Sequence, residues 1–489
     1  MNIVDPILFQ CKCQPLALAL CAPGTMFNSV TYGRLEQLIH NVGRNAREHG
    51  LVRGNVAALF IKDPILHVAF ILGLTKLGIV TVSSRELELP KELHVDAAFA
   101  DASYPPDSSG RVVTVDKNWT MGDGTPGNEI ARTDTSADEP CRIILTSGTT
   151  GFPKAVARTI KHVSTRVHRL QTVYGSRFSD CSRIFMDVGL STGIGLTFFI
   201  YTLWRGGTLF MRGGKVVETL EALSRYRVQA MVASPKSLAE MAELCDEMPA
   251  FPGGLDVVVW TGSSMSRALS ERVRARLGSN LVSSYGSTEA GVAASGPVAA
   301  FAKIDGAVGY VAPGVTVDIV DQSGEKLAAG TEGLVRIRSE CVVDGYVGDP
   351  DSTRRMFREG GFYPGDVGRV TPNGLLVISG REHALINLGG DKVSPERVEA
   401  VLTAFAPVRD AAAFALLTPF GVPLLGGAVV WRGEADASGL QEHLRRRLPQ
   451  AFVPRFLIAL DSIPRNSSGK IDRVRLKDVA AQHANKRSG

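Results

Sequence analysis

The sequence predicts a layered α/β fold, and three observations carry that reading. The composition is that of a soluble globular chain, short β-branched runs alternate with helical stretches through the first 300 residues, and turn residues punctuate the later part. With 489 residues, 44% hydrophobic and 21% charged, a disordered or fibrous chain is excluded. The length allows roughly two to four domains with cores of full size.

The elements follow in order. VAALFI (Val56 to Ile61) reads as a strand, PILHVAFILGLTKL from Pro64 as a helix closed by Gly78, and IVTV as the next strand. Residues 101–140 shift to Asp, Ser, Gly, Thr and Pro, which bury little apolar surface, so they are expected to form surface loop within a domain. Further on, Glu218 to Tyr226 predicts a helix, Val228 to Ala233 a strand, Lys236 to Met248 a helix, and LDVVVW (Leu255 to Trp260) a buried strand. From Val315 to Ile337, alternation around DQSGE and AAGTEG predicts short antiparallel strands, and after about Gly380 a helix-and-strand unit ends the sequence.

The 54 Lys and Arg against 49 Asp and Glu give a net charge of +5. Spread over this length, that bias implies neither nucleic acid nor an anionic membrane as partner. Seven Cys, an odd and sparse set, fit a reduced cytoplasmic setting better than a disulfide scaffold, and no second pair completes a metal site with Cys11 and Cys13. MNIVDPILFQ lacks the form of a signal peptide, and the apolar stretch from His67 to Val82 is interrupted by Lys76, so no membrane span is expected.

The segment RIILTSGTTGFPKAVARTI, from Arg142 to Ile160, joins two strand-like runs by a loop of hydroxyls and glycines. Thr146, Ser147, Thr149 and Thr150 supply donors, Gly148 and Gly151 admit close backbone approach, and Lys154 adds a cation, together a phosphate cradle. It is not a P-loop, because Pro153 precedes the Lys and a β-branched run follows instead of a helix.

TSGTTGFPK resembles the phosphate-loop signature of the adenylate-forming enzymes, the superfamily of acyl-CoA synthetases, nonribosomal adenylation domains and luciferases. Further segments resemble its later motifs in order: YGSTE (Tyr285 to Glu289), YPGD (Tyr363 to Asp366), GREHALINLGG from Gly380, and PRNSSGKIDR (Pro464 to Arg473). The resemblance covers nearly everything from Thr146 onward.

Each motif also has a physical sense. In YGSTE an aromatic face can stack on a purine, Gly286 helps turn the chain, and the carboxylate of Glu289 can hold Mg²⁺ alongside phosphates. Taken alone, the stretch reads as a strand end followed by a helix capped by Ser287 or Thr288. The resemblance implies that Tyr285 and Gly286 flank adenine, Thr288 touches the α-phosphate and Glu289 is the metal ligand. Asp366 suits a ribose diol, with an Asx turn as the plainer reading, and Arg381 suits a ribose or phosphate oxygen, with a surface ion pair as its alternative. Lys470 is implied to enter the active site from a small C-terminal domain and stabilise charge during adenylation.

The sequence departs from the family pattern at Pro364, where Thr is usual, and at the hinge, where His383 replaces Asp or Lys; Gly389 and Gly390 resemble CoA ligases, while Asn387 replaces a frequent Lys. Arg445 to Arg447 read as a solvated helix face in preference to a CoA-phosphate or carrier contact. Amino-acid-activating relatives place an Asp where Thr192 falls, Asp187 being five residues early. With Gly193, Gly195 and the small run Gly291 to Ala294 near the pocket, an acid lacking an α-amine is expected.

The resemblance therefore implies a large layered α/β AMP-binding domain over residues 1–380 and a small mobile α+β domain over 381–489. The expected activity is ATP- and Mg²⁺-dependent conversion of a carboxylic acid to acyl-AMP, followed by transfer to a thiol, chiefly coenzyme A. The alternatives are an acyl-AMP ligase loading a separate carrier protein, an amino-acid-activating domain, and a weakened nucleotide-binding regulator. No carrier domain is expected after Lys470.

Overall fold

The computed structural model describes residues 2–84, 89–101, 112–116, 119–120, 134–146, 153–247, 254–382, 386–387, 392–417, 423–465 and 469–487. Two large sheets dominate it. One has fifteen strands and contains a parallel run built from Thr208–Met211, Arg183–Asp187, Ala230–Ala233, Val257–Thr261 and Leu281–Ser287. The other has six, with Val56–Phe60 and Val80–Ser83 parallel at its centre and the antiparallel pair Pro140–Thr146 and Lys154–Thr159 at one edge.

Helices Tyr32–Glu48, Pro64–Lys76, Ile160–Ser179 and Gly193–Trp204 share one apolar core with strands of both sheets, including Leu59 from one and Ile184 and Leu209 from the other. Local chemistry starts these helices. Asp63 caps Pro64–Lys76 by accepting from the Ile65 and Leu66 amides, and Thr159 and His162 form a reciprocal capping box before Ile160. Gly78, at φ +76, ends the apolar helix predicted from Pro64 in the left-handed region that glycine enters without a Cβ penalty. A second helical layer, Val216–Arg225, Pro235–Glu247 and Arg267–Arg276, covers the other face of the large sheet.

Beyond Arg381, strands Val408–Leu417, Pro423–Trp431 and Phe456–Ala459 form a separate three-stranded sheet covered by Pro395–Thr403, Ala437–Arg447 and Arg473–Arg487. The result is a large α/β domain and a smaller domain of sheet and helices. No helix among the described residues is long and apolar enough to cross a membrane.

One expectation and one plainer alternative are corrected. The stretch 101–140 is not loop throughout: Val112–Val115 adds a parallel edge strand beside Ala97–Asp101, and Trp119 is buried against Phe70 and Phe99. The β-branched run VVTV and one large aromatic outweigh the polar average around them. The stretch after YGST is not a helix: Leu281–Ser287 turns directly into Gly291–Pro297 as an antiparallel partner. A Cβ on Gly286 would fall 2.1 Å from the Gly291 carbonyl oxygen, so this hairpin needs the glycine. His383, Gly389 and Gly390 lie outside the described residues.

Candidate active site

The site begins on the hairpin of the six-stranded sheet. Thr146 and Lys154 face each other where its strands end, and Thr146 Oγ1 donates to the Lys154 carbonyl at 3.4 Å. Ser147, Gly148, Thr149, Thr150 and Gly151 lie outside the described residues. Along Lys154–Thr159 side chains alternate between faces, which puts Lys154, Val156 and Arg158 on one side. On that side Val156 packs with Val343 and Tyr346, and Lys154 Nζ lies 4.9 Å from the centre of the Tyr346 ring. Burial lowers the Lys154 pKa, and Asp349 opposes the shift.

Tyr346 connects this face to YGSTE, its hydroxyl donating to Glu289 Oε1 at 2.9 Å. Glu289 is buried at the tip of the Leu281–Ser287 hairpin, where Ser287 Oγ accepts from the Ala290 amide at 3.0 Å. Beneath the tip, Arg158 and Arg166 both donate to the Thr288 carbonyl at 2.9 Å, and Arg166 also reaches the Glu289 carbonyl at 3.0 Å.

Asp366 is the first residue of Asp366–Val370, directly across from Arg381 in the neighbouring strand. Arg381 Nε sits 2.9 Å from Asp366 Oδ1, and the Tyr285 hydroxyl donates to Oδ2 at 2.5 Å. Three motif residues far apart in sequence thus form one unit. Burial raises the Asp366 pKa against the opposing pull of Arg381, Tyr285 and Lys470. Arg381 is raised in turn by Asp366, and Tyr285 by burial and by the same carboxylate. Both carboxylate oxygens have donors, yet each retains lone-pair capacity for a further hydroxyl.

Lys470 comes from the smaller domain. Its side chain opens into the cleft between domains, where removal from bulk water and the like charge of Arg381 lower its pKa while Asp366 and Glu289 oppose the shift. Two ion-pair sets hold its loop: Arg465 donates to both oxygens of Asp410 at 2.8 and 2.9 Å and to the Gly469 carbonyl at 3.1 Å, and Arg473 contacts Glu396 at 3.1 Å and Glu399 at 2.9 Å.

The acid side of the cleft differs from expectation in detail. Gly291 and Val292 line it, but Ala293 and Ala294 are fully buried in the core under the hairpin. Thr192 caps Gly193–Trp204, accepting from the Gly195 amide at 3.0 Å and donating to the Gly189 carbonyl at 2.7 Å. Asp187 is engaged by Arg212, whose Nε and Nη2 reach its oxygens at 3.0 and 2.5 Å, while Nη1 reaches Glu240 at 2.9 Å. Arg445, Arg446 and Arg447 are exposed on their helix.

Among the described residues no group of three His, Cys, Asp or Glu could hold a metal alone. Glu289, a buried carboxylate with one oxygen turned to Tyr346, fits an ion whose other ligands are phosphate and water oxygens, the usual manner of Mg²⁺. Sequence reasoning missed Tyr346 and Arg158. Neither had a sequence signal: Arg158 reads as a solvent-facing strand charge, and Tyr346 lies in a segment of no motif.

Residues 9–347 match the AMP-binding enzyme family and residues 397–470 its C-terminal domain. A probable CoA ligase of Humulus lupulus is 25% identical, covering 93% of this chain and 91% of that one. The amide bond synthetase McbA from Marinactinospora thermotolerans is 25% identical in sequence and superposes with a TM-score of 0.78 over 97% of this chain and 98% of its own. An anthranilate CoA ligase solved with anthranoyl-AMP shares the fold at a TM-score of 0.87 and 20% identity, over 99% of this chain and 98% of its own. The chain belongs to the AMP-binding family of adenylate-forming enzymes.

Proposed function

We propose that this adenylate-forming enzyme activates a carboxylic acid lacking an α-amine and passes the acyl group to coenzyme A. The observation that carries the reading is the meeting of Lys470, Glu289 and the Tyr285–Asp366–Arg381 unit around one cleft, from both domains. In the first step a carboxylate oxygen attacks the α-phosphorus of ATP, the bond to the bridging oxygen breaks, and pyrophosphate leaves. In the second a thiol adds to the acyl carbonyl and AMP departs with the bonding electron pair, the thiol proton passing to solvent.

Each residue has a task in this scheme. Asp366 accepts from the ribose hydroxyls, held in orientation by Arg381 and Tyr285, and Gly286 leaves room for the base. Lys154, with Thr146 and the hydroxyls of 147–150, orients the β- and γ-phosphates. Thr288 contacts the α-phosphate, and Glu289 holds Mg²⁺, which when bound neutralises phosphate charge. Lys470 places its cation where charge develops between carboxylate and α-phosphate. The division between the fixed and moving parts falls near residue 380.

Support for an acid without an α-amine comes from Asp187 and Thr192. The carboxylate that could meet an α-ammonium is held by Arg212, and the hydroxyl at the alternative position is used in a helix cap. The relative named as an amide bond synthetase keeps an amine acceptor in view beside coenzyme A. The test is pyrophosphate release over a panel of aryl, fatty and amino acids, then product analysis with coenzyme A or an amine added. Release only with amino acids overturns the acid assignment, and amide without thioester overturns the acceptor.

A further inference from the structure

Arg142, Arg158 and Arg166 are buried, and the structure gives each at least one backbone carbonyl partner. A buried guanidinium without a bidentate carboxylate is costly, and the Nε of all three lacks a hydrogen-bond partner. Arg158 is the most informative. It lies on the strand face that carries Lys154, its Nη1 donates to the Gly193 carbonyl at 3.1 Å, and its Nη2 donates to the Thr288 carbonyl at 2.9 Å. Gly193 opens the helix beside the acid side of the cleft, and Thr288 precedes the carboxylate assigned to Mg²⁺. One planar group therefore ties two loops that carry different reactants.

The fit is close. A Cβ on Gly193 would fall 2.1 Å from Arg158 Nη2, so the guanidinium occupies space that only glycine leaves. Two guanidiniums on the Thr288 carbonyl fix that peptide plane, which aims the Glu289 amide away from them and sets where the Glu289 side chain begins.

We propose that Arg158 is a positioning residue that holds the Thr288–Glu289 turn in its Mg²⁺-competent geometry while anchoring it to the start of the acid-side helix at Gly193. It touches neither nucleotide nor acid. It acts through the carbonyls, as groups outside a metal's direct ligands do when they orient those ligands. The inference rests on the assignment of Mg·ATP to this cleft, so the test uses binding of a non-reacting nucleotide and needs no acid.

Calorimetric titration with α,β-methylene ATP, with and without Mg²⁺, is run on the parent, Arg158→Met, Gly193→Ala and Arg158→Lys. Gly193→Ala keeps the arginine and displaces it, and Arg158→Lys keeps a cation that cannot span both carbonyls. In Arg158→Met and Gly193→Ala the Mg²⁺-dependent gain in affinity should fall by about 10–100-fold, the usual effect of losing such an outer partner, while Mg²⁺-free affinity is retained. Arg158→Lys should fall between them and the parent. A parent-like Mg²⁺ response in all variants, or equal loss with and without Mg²⁺, overturns the inference alone. Absence of Mg²⁺-dependent binding in the parent overturns the assigned function and the inference with it.

Discussion

The Thr288–Glu289 turn and the loop around Lys470 face each other across one cleft, yet different forces fasten them. The turn is held from below by arginines that are 1% and 5% exposed, donating to carbonyls inside the protein. The lysine loop is held by ion pairs that are mostly part-exposed: 29% and 32% for Arg465 and Asp410, 24% and 37% for Arg473 and Glu396, with Glu399 lower at 13%. A buried hydrogen bond from a charged donor is worth about 1.5–3 kcal/mol, whereas a water-screened pair is worth about 1 kcal/mol or less. The turn is thus fastened by buried hydrogen bonds within the large domain, and the lysine loop by partly exposed ion pairs within its own smaller domain. In the proposed two-step reaction the nucleotide would stay bound through both steps, while a thiol would need the space that the lysine loop fills during the first.

The largest expected effect separates the two sides. Lys470→Ala should slow acyl-AMP formation by about 10²–10³-fold, the cost typical of losing one preorganised charge in a dry site. Transfer from supplied acyl-AMP should be nearly unchanged, and single-turnover measurement of both half-reactions checks it. Equal loss of both steps would break the comparison. Glu289→Gln should act on the fixed side instead, raising the Mg²⁺ needed for half-maximal adenylation by about tenfold or more, since even outer partners of a metal cost that much. An unchanged Mg²⁺ titration would move the ligand role elsewhere.

The layered fold was legible because its strands are short β-branched runs and its middle helix, Pro64–Lys76, carries an Asp cap, Pro at its start and Gly at its end. The motif residues were legible as separate segments. Their union was not: nothing in sequence spacing shows Tyr285, Asp366 and Arg381 in one hydrogen-bonded unit, because it is made by the strand pairing of Asp366 with Arg381 and a side-chain hydrogen bond between residues 81 positions apart. Arg158 was hidden for a related reason. Charge on a strand reads as solvent-facing, and only the carbonyls of distant loops reveal that it points inward. Tyr346, from a segment of no motif, became visible only beside Glu289.

A smaller effect sharpens the lysine side. Asp410→Ala removes the bidentate partner of Arg465, which also holds the Gly469 carbonyl next to Lys470. Because the pair is partly exposed, adenylation should fall only about three- to tenfold, in keeping with the modest worth of such pairs, with little change in melting temperature. Acyl transfer should hold, because the loop's pose matters to the first step of the proposed reaction only. A fall in transfer matching that in adenylation would show that the clamp serves the domain's fold instead of the loop's pose.

The smallest effect concerns pH and lies at the second anchor. Glu399 accepts from the Ala413 amide at 2.9 Å and meets Arg473, and burial pushes its pKa up from 4.5 to about 7 despite that arginine. In this window the folded domain binds more protons than the unfolded chain, so stability is greatest below pH 4.5 and is lost as pH rises toward 7. Glu399→Gln keeps an oxygen for the Ala413 amide but cannot ionise. The difference in melting temperature between variant and parent should therefore grow in the variant's favour from pH 5 to 7 and level off above it, by about a few degrees at most for a single group. Parallel pH profiles would mean that the carboxylate is ionised throughout and fully matched by Arg473. The second anchor would then be a settled ion pair like that of Arg465, adding no pH dependence to the lysine side.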